Sequence, residues 1–303
     1  RQVTQTPTSP KSGEAVTISA KITDPDGVAE ATLLYQLVNP GDYIALSDER
    51  YATEWTSVPM QAGAAGTDTY TAIMPGELQT HRRLVRYRIM TSDTPAAAIQ
   101  VPYVDDPQPN FAYFVYDQVP SYTGKATTSA EPVTYSPETL SVVPVYQLIT
   151  TRDHHESAQY IPDASGSSYG GSDYRWEGTM VYDGRVYDHI RYRARGGVWR
   201  YAMGKNMWKF DFNRGHRFQA RDDYGSKYKT EWDKVNFSAC IQQGDFNHRG
   251  EQGLFESTGF KLFNLSGVEA PRTHFLHFRI IEGADENGQP DSQFDTDFQG
   301  LYL

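Results

Sequence analysis

Cysteine is nearly missing from the 303 residues. Cys240 stands alone, so the chain can form no internal disulfide and no cysteine-based zinc cluster. No run of about 18 apolar residues occurs, which removes any helical membrane span. The opening Arg1-Gln2-Val3-Thr4 lacks the apolar stretch of a signal peptide, which an exported protein would already have lost. Positive charge is in deficit: 28 Lys and Arg against 38 Asp and Glu leave a net charge of −10. A general nucleic-acid binder works by neutralising phosphates, and this balance argues against that class. With 38% hydrophobic and 22% charged residues, the chain is too apolar to be disordered. Helical periodicity is scarce as well. Aromatics are plentiful, with 21 Tyr, 14 Phe and 5 Trp, and they favour strands and recognition surfaces. The chain is expected to be mainly β, with an α+β element towards its end.

Residues 1–105 read as an immunoglobulin-like β-sandwich. Over residues 14–22, Val16, Ile18, Ala20 and Ile22 alternate with Thr17, Ser19 and Lys21, the period of a half-buried strand. Asp24-Pro25-Asp26-Gly27 supplies turn chemistry. A second strand places Leu33, Tyr35 and Leu37 on one face. Residues 70–74 and 85–89 repeat the alternation, the latter with Arg86 and Arg88 outward. Short strands between Gly, Pro and Asp turns fit a sandwich.

Residues 106–175 read as an intervening segment. It holds apolar runs at 111–116 and 142–149 and a Ser/Thr/Pro-rich loop at 121–137. From residue 176 the pattern is clearer. Strands at 179–182 and 185–195 flank Asp183-Gly184, the dipeptide favoured in a type I′ hairpin. In a third strand, 205–212, Trp208, Phe210 and Phe212 share one side, and Lys205, Met207, Lys209 and Asp211 the other. One helix is expected over 251–265, with Glu251, Leu254, Phe255, Thr258, Leu262 and Leu265 on one inward stripe. Strands at 274–281 and from 298 onward flank an acidic loop.

Charge is the strongest local signal. Between Arg191 and Lys229 eleven Lys or Arg face three Asp, a net of +8 inside an acidic chain. Concentrated positive potential attracts anions, phosphates above all. Arg193, Arg195, Lys205 and Lys209 are expected on one sheet face beside Gly196-Gly197, where main-chain N–H groups can approach an anion. The plainer alternative pairs these cations with acidic loops.

Tyr192-Arg193-Ala194-Arg195-Gly196-Gly197-Val198-Trp199-Arg200, followed by Gly204-Lys205-Asn206-Met207-Trp208-Lys209-Phe210-Asp211-Phe212, resembles the spore coat protein H (CotH-like) kinase family. Residues 232–303 continue the likeness, with Arg249-Gly250-Glu251, Gly267-Val268-Glu269-Ala270-Pro271 and Gly300-Leu301-Tyr302-Leu303. The resemblance implies that 176–303 form a protein-kinase-like small lobe, an antiparallel sheet with one main helix. It implies ATP and Mg²⁺ (or another divalent cation) as cofactors and Ser/Thr of secreted or surface proteins as phosphate acceptors. Lys205 then matches the phosphate-contacting lysine, and Arg195 and Gly196 the Arg-Gly turn. Glu251, or failing it Glu256, would be the helix carboxylate that pairs with the lysine. The catalytic and metal-binding carboxylates of such a fold lie in a large lobe beyond these residues. The chain is therefore expected to be an inactive N-terminal portion of an extracellular or cell-surface kinase.

A rival reading is an extracellular binding or structural module. Its aromatic-rich strands (Trp199, Tyr201, Trp208) would contact a glycan or protein partner. In a third reading, the basic face meets an anionic polymer. No metal-ligand set emerges. Asp153-His154-His155-Glu156 reads as a hydrated loop, and His274 and His277 point to opposite sides of a strand. The stretch from Asp285 to Asp291 departs from a calcium loop in its Gly position, which leaves at most weak Ca²⁺ binding. Asn236 and Asn264 fall in glycosylation-type triplets by chance, and Cys240 is expected to be a buried small hydrophobe.

Overall fold

The structure, a computed structural model, describes residues 2–95, 97–125, 129–159, 174–196, 205–222, 224–241, 251–286 and 296–303. The chain is mainly β and divides into two units: Arg1–Gln118 with Gly184–His189, and Val119–Asp183 with Ile190–Leu303.

In the first unit, β1 (Val3–Thr6), β2 (Val16–Lys21), β5 (Gln61–Ala62) and β6 (Thr69–Met74) form an antiparallel sheet ordered β1-β2-β6-β5. A second antiparallel sheet is ordered β4-β3-β7-β8, from β3 (Val28–Val38), β4 (Thr56–Pro59), β7 (Leu84–Asp93) and β8 (Ala98–Val101). Strand β9 (Phe111–Phe114) also pairs with β7. The alternation read from sequence is what builds the core. Val16, Ile18 and Ala20 of β2, Leu33 of β3, Met74 of β6, and Val85, Tyr87 and Ile89 of β7 are buried in one cluster.

Arg86 departs from the expected solvent-facing pattern: it is fully buried. Its Nε donates to Asp188 Oδ2 at 2.7 Å and its Nη2 to Asp188 Oδ1 at 3.1 Å, a bidentate pair. Nη1 donates to Gln36 Oε1 and to the carbonyl of Ile44. Asn110 Nδ2 donates to Asp188 at 2.8 Å and Tyr51 Oη to Asn110 Oδ1 at 2.7 Å. Burial opposes the Arg86 charge, and Asp188 more than offsets it, so the pKa of Arg86 is raised. Losing one member strands the other charge, which typically costs about 3–5 kcal/mol, whereas replacing both with apolar groups costs less. Asp188→Ala should therefore unfold at much lower urea than wild type, while the double variant Arg86→Met/Asp188→Leu recovers part of that loss. A double variant no more stable than the single one would contradict this account.

The second unit contains a two-stranded ribbon, β10 (Tyr122–Gly124) with β11 (Val133–Tyr135), inside the stretch expected to be loop. Its main sheet has seven strands ordered β16-β15-β14-β13-β12-β17-β18. These are β12 (Val145–Ile149), β13 (Trp176–Tyr182), β14 (Arg185–Arg195, of which Ile190 onward belongs here), β15 (Met207–Asp211), β16 (Lys234–Phe237), β17 (Leu276–Ile281) and β18 (Phe298–Tyr302). Asp183 and Gly184 have φ of 53° and 70°, as a type I′ turn requires. Strands β12 and β17 run parallel. Beyond the ends of β16 and β18, Ser238 and Leu303 exchange two main-chain hydrogen bonds of 2.8 and 3.1 Å. The sheet therefore curls into a half-barrel. Inside it the rings of Tyr146, Tyr192, Trp208, Phe210, Phe237 and Phe278 are buried and touch one another in sequence. Residues 106–175, expected to intervene, thus supply β9 to the first unit and β10–β12 to the second.

Three short helices were not expected: α1 (Glu49–Thr53), α2 (Pro137–Leu140) and α3 (Arg152–Gln159). The last replaces the expected hydrated loop. Within it His155 is buried, paired through Nδ1 with Glu282, and Gln159 Nε2 donates to its Nε2. The long helix α4 (Glu251–Leu265) has the expected bounds but the opposite orientation. Leu254, Phe255, Leu262 and Leu265 are 57–74% exposed, and Glu251 and Thr258 are exposed with them. The packed side is made of Gly253, Glu256, Phe260 and Asn264. A Cβ at Gly253 would lie 2.6 Å from Cys240 Sγ and 3.1 Å from the Phe275 ring. Gly253→Ala should destabilise the protein by about 1–3 kcal/mol through overpacking, although alanine is the better helix former by roughly 1 kcal/mol. Chemical denaturation with α4 intact by circular dichroism checks it, and a stabilised variant would refute the packing.

Candidate functional site

The alternation of β14 and β15 sets the geometry of the basic residues. Ile190, Tyr192 and Ala194 are buried with Trp208 and Phe210, so Arg191, Arg193 and Arg195 project from the other face. Arg193 pairs in register with Lys209, and Arg195 with Met207. Three of the four cations predicted to share a face therefore do so. Lys209 approaches Asp211 at 4.0 Å, and Arg175 meets the same carboxylate at 3.0 Å, so part of this charge is neutralised on the sheet itself. Gly196, with φ of +97°, ends the strand. Gly197, Trp199 and Tyr201 lie outside the described residues. Trp208, offered as a surface aromatic, is buried at 1% exposure and cannot contact a partner.

Lys205 is the fourth cation, and it does not join the others. It precedes β15, and its ammonium donates to the carbonyl of Ala239 at 3.2 Å and to that of Leu301. Its Nζ also sits 4.0 Å from the centre of the Tyr302 ring. Gly300 makes room, since a Cβ there would come within 3.2 Å of the Nζ. Burial lowers the Lys205 pKa from 10.5 to about 8, against a small opposite push from Cys240. Among the described residues Lys205 forms no ion pair with Glu251 or Glu256. The expected lysine–Glu251 pairing is absent because Glu251 points into solvent at the start of α4.

Glu256 is placed differently. It lies on the packed side of α4, where Ser238 Oγ donates to its carboxylate at 2.8 Å. Lys205 bonds to the next residue, Ala239, so the ammonium and carboxylate are anchored to consecutive residues rather than to each other. Cys240 follows them, free and buried. Burial pushes its thiol pKa up, Lys205 opposes that and Glu256 adds to it.

A cavity of about 350 Å³ opens beside this segment. Arg195, Lys234, Arg272 and His274 line it together with Glu256. Tyr228, Trp232 and Phe260 bring partly exposed rings to its wall, over the buried rings of Tyr146, Phe218 and Phe237. Cations and an imidazole around aromatic walls suit a ligand that joins an anionic group to a flat ring. Lys205 is not among the lining residues. The sequence marked Arg195 and Glu256 but not Lys234, Arg272 or His274. Those three come from two separate stretches that only the curl of the sheet brings together.

His274 and His277 have separate partners. His274 Nε2 shares a hydrogen with Tyr146 Oη at 2.8 Å, whereas His277 Nδ1 donates to the carbonyl of Leu140. Burial drives the His277 pKa down to about 4. In the acidic loop, read as allowing at most weak Ca²⁺ binding, Glu286 is tied to Arg279, and residues 287–291 fall outside the described residues. The carboxylates that do converge are elsewhere, in the first unit. Oxygens of Asp24, Asp26 and Asp93 lie within 4.8 Å of one another, close enough to hold a cation. Asn264 is used structurally: its Nδ2 donates to the carbonyls of Phe260 and Ala270 at the end of α4. No described helix is long and apolar enough to cross a membrane. In comparison with known proteins, the chain matches no family model and no curated protein.

The Lys205 environment carries a pH signature. Its folded pKa lies below its unfolded value, so between about 8 and 10.5 the unfolded chain binds more protons. The stability this group contributes is complete above the unfolded pKa and is lost as pH falls through about 8. Urea titrations of wild type and Lys205→Met should differ by an amount that moves in favour of wild type from about pH 7.5 to 10. The expected movement is on the order of 2 kcal/mol. A pH-independent difference would mean that the ammonium is solvated.

Proposed function

We propose that the second unit is the small lobe of a CotH-like kinase and that its cavity binds a nucleotide, with ATP as the reference ligand. The observation that carries this reading is the convergence of Arg195, Lys234 and Arg272 on a ring-lined cavity beside Glu256. A triphosphate requires several cations held apart on fixed main chain, and a base requires a flat apolar surface. A curled, largely antiparallel sheet with one long helix supports the same reading, as does the sequence pattern through Arg195-Gly196 and Lys205. The first unit, with two antiparallel sheets over one core, is taken as the immunoglobulin-like module that accompanies such a lobe in exported proteins. An extracellular or surface location follows from that pairing.

Lys205 takes a role different from the one the resemblance gives it. Its ammonium is held by two carbonyls and a ring, so the phosphates fall to Arg195, Lys234 and Arg272, and Lys205 holds the wall of the site. Phosphoryl transfer also needs carboxylates for Mg²⁺. Glu256 is the one carboxylate among the described residues lining the cavity. The reading is therefore nucleotide binding, with transfer to Ser or Thr left to groups outside this cavity.

Titration of the protein with a fluorescent ATP analogue, with and without Mg²⁺, tests this. A charge-assisted hydrogen bond to phosphate is worth about 1.5–3 kcal/mol. Arg195→Ala and Arg272→Ala should thus each weaken binding roughly tenfold or more. Lys205→Met should change affinity by much less than either. Absence of saturable binding, or equal affinity in the Arg195→Ala/Arg272→Ala double variant, would remove the proposal. A collapse confined to Lys205→Met, with fold retained, would restore that lysine as the phosphate ligand.

A further inference from the structure

The first unit offers a separate site. Strands β1 and β8 are the terminal strands of their two sheets. Among the described residues, strand β1 pairs with β2 alone and β8 with β7 alone. Among the described residues, no hydrogen bond joins the outer edge of either strand to other main chain. Between the sheets at this end lies a cleft of about 570 Å³, within the range of specific ligand sites, roughly 300–1,000 Å³. Its floor is apolar: Ala20 and Ile89 are buried, and Val3, Ile22, Ile99 and Val101 are half-buried. Its rim is acidic at one end, where Asp24 and Asp93 line the cleft and Asp26 stands beside them. Lys21 is the one cation lining it.

A strand edge with free N–H and C=O groups is a template for another strand, and native proteins usually blunt such edges with charge, bulges or cover. Here the edge of β8 borders a cleft with an apolar floor and a polar rim, and the rim is mainly acidic. We infer that this cleft captures an extended peptide from a protein partner, a segment of alternating apolar side chains with a Lys or Arg at one end. The peptide would add as a strand to β8, as in β-augmentation. Alternate apolar side chains would drop onto Ile22, Ile89 and Ile99. The terminal cation would meet the Asp24, Asp26 and Asp93 carboxylates. The acidic groups choose the occupant: an apolar strand alone gains nothing from them, and an anionic ligand is repelled.

The test uses the full chain and a fluorescein-labelled peptide alternating Val and Thr behind an amino-terminal Lys. Companion peptides carry Glu in place of that Lys, or Pro at alternate positions so that N–H donors are lost. Anisotropy titration should show saturable binding of the Lys peptide and at least tenfold weaker binding of the Glu peptide. The Pro peptide should not bind. The isosteric double variant Asp24→Asn/Asp93→Asn keeps the acceptors that hold Asp26 N and Ala97 N, so it should fold normally. It should bind the Lys peptide about fivefold more weakly and narrow the gap between the Lys and Glu peptides. Equal binding of the Pro peptide would show a plain apolar pocket and overturn the proposal. So would Ca²⁺ binding to the carboxylates with no peptide uptake, or self-association of the chain that consumes the cleft. None of these outcomes bears on the nucleotide cavity of the second unit, which is read with a different ligand.

Discussion

The candidate site of the second unit depends on how its sheet closes. Two hydrogen bonds between Ser238 and Leu303 join the ends of the outermost strands. The ammonium of Lys205 adds a clamp by holding the carbonyls of Ala239 and Leu301 together. This closure fixes the stretch from Ser238 to Cys240, and that stretch fixes Glu256 through the Ser238 hydroxyl. The Ser238–Leu303 bonds thereby join the ends of β16 and β18 to each other. The cavity is therefore a consequence of closure, not of a binding motif contiguous in sequence.

The two units answer the same electrostatic problem differently. Burying a cation requires that its hydration be replaced. Arg86 in the first unit receives a carboxylate, and its charge is reinforced. Lys205 in the second receives only carbonyl dipoles and the face of Tyr302, and its charge is weakened towards a pKa of about 8. The planar guanidinium can satisfy all its donors in a fixed fork, which suits a permanent structural pair. The point charge of Lys205 is held by weaker partners.

Much of the strand pattern was legible in the sequence because a period of two is a local signal. The alternation of Val16, Ile18 and Ala20, and of Trp208 and Phe210, is the burial observed. The Asp183-Gly184 turn was equally local. Legibility failed where packing is made by what a residue lacks. Helix α4 was oriented from its Leu and Phe stripe, yet its packed side is defined by Gly253, which admits Cys240 and Phe275. Small residues carry no weight in a hydrophobic period, so the period points to the opposite face and to Glu251. Arg86 is opaque to the sequence for a related reason. A buried arginine looks like a surface one until its partner, 102 positions away, is seen. Lys205 was assigned to a strand face by parity, but β15 begins only at Met207, and a residue outside the strand does not obey its alternation.

The same distinction decides what the basic strip can do. Charge density in the sequence says that anions are attracted, without saying which cations remain available. Lys205 is engaged by carbonyls, and Lys209 and Arg175 share Asp211. Among the described residues of the strip, Arg195 at the exposed end of β14 is the cation that reaches the cavity, and Lys234 and Arg272 join it from outside the strip. The cations that line the cavity are therefore mostly not the ones that the net charge of the strip suggests. Among the described residues, the partly exposed rings of Tyr228, Trp232 and Phe260 line the same cavity as these cations. The aromatic excess of the composition is thus partitioned: most rings fill the curled sheet, and a few border the cavity.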